Sequence, residues 1–67
     1  MPYRLTRFSP REGNYIFGDF DTLLESVEVA RSMGAIGHCF PHGRGHWKMT
    51  GDSEGTFFWI DAVSHEH

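Results

Sequence analysis

Between residues 37 and 47 the chain reads GHCFPHGRGHW. His38, Cys39, His42 and His46 fall within nine residues, and Cys39 is the only cysteine. Imidazole and thiolate are the usual ligands of zinc, which takes four of them in a tetrahedron. The atoms are right, so a small zinc-binding module on His38, Cys39, His42 and His46 is one reading. The spacing speaks against it. Neighbouring residues of a strand face opposite ways, so His38 and Cys39 would not share an ion. The His-x3-His-x3-His spacing suits a helix, but Pro41, Gly43 and Gly45 exclude one there. His65 and His67 in the tail could add a ligand. The expectation is therefore no cofactor, with zinc as the alternative.

The same segment holds the groups of two catalytic chemistries. His42, Arg44, His46 and Lys48 are an acid, a base and cations of the kind a metal-independent ribonuclease needs. Cys39 beside histidines could serve as a nucleophile. Both require a pocket and an orienting carboxylate, and no motif supplies either. A hairpin with a polar tip needs nothing more than this sequence provides. In that reading Cys39 is a small buried hydrophobe, and His42 and His46 edge the loop. The chain is expected not to be an enzyme.

A chain of 67 residues is a single domain, residues 1–67. So small a core yields little net stability, and a lone cysteine allows no internal disulfide. Cysteine usage points to the cytoplasm. The opening MPYRLTRFSPR lacks the apolar centre of a secretion signal, and no apolar run is long enough for a membrane span. Aromatic residues make up 15 % of the chain and are the visible source of core area. The net charge of −3 has the wrong sign for a duplex binder, so nucleic acid is not the expected partner. Arg4, Arg7 and Arg11, with the aromatics of the first hairpin, keep it as a third reading. Acids concentrate between residues 12 and 28, which contain no lysine or arginine.

Hydrophobic periodicity then sets the frame. Residues 3–8, YRLTRF, and 15–20, YIFGDF, read as strands around the turn SPREGN. DTLLESVEVARSMG reads as a helix ending at Ser32 or Met33, with Asp21 or Thr22 as its cap. Its apolar stripe is Leu23, Val27, Ala30 and Gly34, widened by Leu24 and by Val29 or Met33. Gly34 suits the left-handed stop. AIGHCF (35–40), HWKMT (46–50) and TFFWIDAV (56–63) read as three further strands. The fold class is α+β: an antiparallel sheet of four or five strands with one helix on one face, in the order β-β-α-β-β-β. One helix covers one face of a sheet. In the last strand Phe57 and Trp59 point one way, and Phe58, Ile60 and Ala62 the other. An apolar set is therefore left on the open face, unless the sheet curls over it.

The stretch YIFGDFDTLLESVEVARSMG resembles the strand-to-helix passage of many small α+β domains. Plant AP2-type DNA-binding domains contain a similar stretch, but there it ends the domain after three strands with a basic surface. Here more strands follow and that surface is lacking. As a whole the chain resembles the small, aromatic, single-helix proteins that bacteriophages and mobile elements encode to inhibit a host machine, anti-CRISPR proteins among them. That resemblance implies a non-enzymatic inhibitor that occludes a protein partner. The expected contacts are Trp47, Phe58 and Trp59, with Arg44 and Lys48 at the rim, because Trp and Arg supply much interface energy. A homodimer through the open sheet face is a further expectation.

Overall fold

The computed structural model describes residues 2–63. Five strands and one helix follow the expected order: β1 (Tyr3–Ser9), β2 (Gly13–Phe20), α1 (Leu23–Ser32), β3 (Ala35–Pro41), β4 (His46–Gly51) and β5 (Phe57–Ala62). All neighbours are antiparallel, and the strands lie in the order β2-β1-β5-β4-β3. The first and last strands thus pair inside the sheet, and β2 and β3 form its edges. The passage from β2 to β3 crosses from one edge to the other, and α1 makes that crossing. Ten helical residues span about 15 Å. Five strands span about 19 Å. One helix is therefore nearly long enough to roof one face.

Local chemistry fixes the helix ends. Thr22 is the N-cap, its Oγ1 accepting from the backbone N–H of Glu25 at 3.1 Å. Asp21 precedes the cap. Met33 closes the last turn, and Gly34 follows with φ of 113°, a conformation open to glycine and costly for a side chain. The backbone N–H of Asp52 then donates to the Gly34 carbonyl, tying the helix exit to the β4–β5 turn.

The buried face differs in part from the expected stripe. Ala30 and Ser26 are fully buried, and Leu23, Val27 and Val29 pack around them. Leu24 and Met33 are exposed instead. Ser26 lies inside because its small side chain lets the helix approach the sheet. Its hydroxyl donates to the Leu23 carbonyl at 2.7 Å, so it is not left unpaired. Beneath the helix lie Leu5, Ala35, Met49, Phe58 and Ile60. Each large member contributes about 1.5–3 kcal/mol on burial. Phe17 stacks on Phe58 at the margin, and Tyr3 meets Trp47 edge-on.

Both edge strands are irregular. In β2 the register against β1 slips between Leu5 and Thr6, leaving Phe17 as an extra residue. Phe17 turns to the helix side with Tyr15, and Gly18 absorbs the distortion with φ of 137°. Simple alternation would have put Tyr15, Phe17 and Asp19 together. The bulge returns Asp19 to the other face, opposite Arg4. In β3 the residues Gly37, His38 and Cys39 stand opposite Met49 alone. Among the described residues no helix is long and apolar enough to cross a membrane.

Candidate interaction face

The face away from the helix is built from three rows of residues that run across the strands. The first is Ile16, Thr6, Trp59, Lys48 and Phe40. The second is Asn14, Phe8, Phe57, Thr50 and Ile36. The third is Asp19, Arg4, Asp61 and His46. Among the described residues no element covers them. Phe40 is 61 % exposed, Ile16 57 %, Ile36 51 % and Phe8 38 %. A sheet face of this composition leaves apolar side chains in water on edge and inner strands alike.

Contacts within the rows hold the side chains in place. The Lys48 ammonium lies 4.3 Å from the Phe57 ring centroid and 5.1 Å from that of Trp59. Such cation–π contacts are worth about 0.5–1 kcal/mol at exposed sites. His42 meets Trp59 edge-on at 5.6 Å. Arg4 donates to both oxygens of Asp19, at 2.9 and 3.3 Å. That bond, with the charge of Asp19, raises the affinity of Arg4 for its proton. Asp61 Oδ1 lies 2.5 Å from His46 Nδ1.

The His/Cys segment is split by the sheet. Cys39 turns to the helix side and packs against the core, while His38 stands exposed beside Phe40. His42 lies against Trp59 and His46 against Asp61. Among the described residues no three His, Cys, Asp or Glu side chains converge as a metal site would require. The four proposed ligands are therefore not brought together: strand alternation turns Cys39 away from His38, and His42 and His46 lie against Trp59 and Asp61. His65 and His67 lie outside the described residues.

The catalytic elements are separated in the same way. Asp61 is an orienting carboxylate that sequence spacing did not reveal, because it reaches His46 only through the β4–β5 register. The thiol sits on the other face. Burial pushes the Cys39 thiol up from its ordinary range, against a weaker opposing pull from Arg31. A nucleophilic cysteine needs the reverse shift. A cleft of about 330 Å³ lies between the β1–β2 and β4–β5 turns, lined by Arg7, Arg11, Glu12 and Asp52 among others. None of the described histidines lines it.

Two expected contacts need correction. Phe58 is 1 % exposed and lies in the core, so it offers no surface to a partner. Trp47 points to the helix side, where it packs on the core and on Tyr3. Alternation along β4 and β5 puts both on the face opposite Lys48 and Trp59. The three arginines do not form one surface either. Arg4 is on the open face, whereas Arg7 is on the helix side over Tyr15 and Phe17 and bonded to Glu12. Spacing had not singled out Phe8, Ile16, Ile36 or Phe40. Their signal was an apolar residue at alternate positions of strands whose other positions feed the core. The chain matches no family model, no curated protein and no solved structure in comparisons with each.

Proposed function

We propose that the chain is a non-enzymatic protein-binding module that occupies a partner's surface through the open face of its sheet. The observation that supports this is the uncovered apolar set of Phe8, Ile16, Ile36 and Phe40 around Lys48 and Trp59. Ordinary monomers keep such patches small, and larger ones are used for contact. Trp59, Lys48 and Arg44 stay in the contact set, joined by Phe40. The edges favour face docking over strand addition. Both edge strands carry a bulge, and β3 ends in Pro41, features that discourage pairing with a foreign strand.

The test is co-purification from the source cell with three forms of the protein. The wild type and a helix-face variant, Leu24→Asp, are expected to retain one and the same partner. Phe40→Asp is expected to lose it. Both substituted side chains are largely exposed, so the fold is kept in each. Loss through Leu24→Asp with retention by Phe40→Asp would move the contact to the helix and overturn the assignment.

A further inference from the structure

Net charge describes this protein poorly, because its charges are sorted by face. Most of its described acids lie in the β1–β2 turn, around and on α1, and in the β4–β5 turn. The open face has two, Asp19 and Asp61; Arg4 forms an ion pair with Asp19, and Asp61 lies within hydrogen-bond distance of His46. Lys48 has no carboxylate partner among the described residues, and neither has Arg44, exposed in the β3–β4 loop. Exposed His38 and His42 flank the same end. The β4–β3 half of the open face is thus apolar and cationic, although the chain as a whole is anionic.

Resting on the reading of this face as a docking surface, we infer that its partner is an acidic protein segment that also carries apolar anchors. Carboxylates of that segment meet Lys48 and Arg44, and its apolar side chains lie on Phe40, Ile36 and Trp59. Complementary charge gives register and encounter rate, and the apolar contacts give residence. Single-stranded nucleic acid fits less well. Its affinity comes mainly from many phosphate contacts, and here the permanent cations are Lys48 on the face and Arg44 in the adjoining β3–β4 loop. A second copy fits less well too. In a twofold contact both copies use the same patch, so each would bring Lys48 and Arg44 to the seam, and β3 and β4 add no carboxylate on this face.

The test is selection from a random twelve-residue peptide library displayed on phage, panned on the intact chain at pH 7.4. Enrichment of Asp and Glu next to aromatic or aliphatic residues is expected. Synthetic copies of the winners should lose about tenfold or more in affinity to Arg44→Glu/Lys48→Glu. They should also weaken between 0.05 and 0.5 M NaCl, and circular dichroism should show the double variant folded. Enrichment of basic or uncharged sequences that Phe40→Asp abolishes would overturn the acidic partner and leave the docking face standing. Winners indifferent to Phe40→Asp would overturn both. Two further arms name the other occupants. Binding of a fifteen-residue oligo-dT with no peptide enriched would assign the face to nucleic acid. A dimer in sedimentation that Phe40→Asp dissolves would assign it to a second copy. Either result, or no enrichment at all, overturns the inference.

Discussion

At the scale of single residues, chemistry here follows from which face a side chain takes. Cys39 and His38 are neighbours in sequence and belong to different environments. The thiol is half-buried against the core, and desolvation disfavours its thiolate. Iodoacetamide reacts with the thiolate, so a raised thiol value moves the rise of rate with pH upward. Alkylation of the folded chain should therefore be slow near pH 8 and climb at higher pH than in 6 M guanidinium chloride, where burial is lost. Mass spectrometry of timed samples between pH 7 and 10 would read both profiles. Coincident profiles, or a faster folded chain, would mean that Cys39 is an exposed and activated thiol. The same logic explains why His46 gained a partner that spacing could not show. Asp61 is remote in sequence and adjacent only through the pairing of β4 with β5.

At the scale of elements, the helix shows how much the sequence revealed and where it stopped. Its existence and its end near Ser32 were legible from periodicity, charge at the two ends and Gly34. Its inner face was legible only in part. Hydrophobicity favoured Leu24, but burial went to Ser26, whose value lies in its small size and its bond to Leu23. Strand existence was legible too, and strand alternation placed Phe58 and Trp59 on opposite faces. Alternation does not say which face the helix takes, and that choice is what makes Phe58 core rather than contact. The bulges in β2 and β3 were hidden because an extra residue leaves no mark on composition. The N-cap was ambiguous in sequence between Asp21 and Thr22, and geometry resolves it. Thr22→Ala should cost about 1 kcal/mol in urea unfolding, since the Glu25 N–H loses its acceptor. Asp21→Ala should cost clearly less, because Asp21 contributes only charge near the helix start. The opposite ranking would make Asp21 the cap in solution.

At the scale of the molecule, the sheet is closed by strands from opposite ends of the chain. Tyr3 lies opposite Ala62, and the rest of β1 continues along β5 in register. β5 also pairs with β4, so it joins the first hairpin to the second. Its inward side supplies Phe58 and Ile60 to the core, and its outward side supplies Phe57 and Trp59 to the open face. One strand therefore supports both the core of the domain and its open face. A domain of this size has little stability to spare, and isolated hairpins are marginal in water. A chain ended at Gly55 keeps β1–β2, α1 and β3–β4 but loses the strand between them. It should show no cooperative urea transition by far-UV circular dichroism, whereas the full chain should show one. A cooperative transition in the shortened chain would mean that α1 alone can hold the two hairpins together. Pairing across so long a chain separation also makes closure of β1 on β5 the slow step expected in folding. Closure of β5 on β1 then sets Phe57 and Trp59 in place, so the open face is complete only when the whole sheet is.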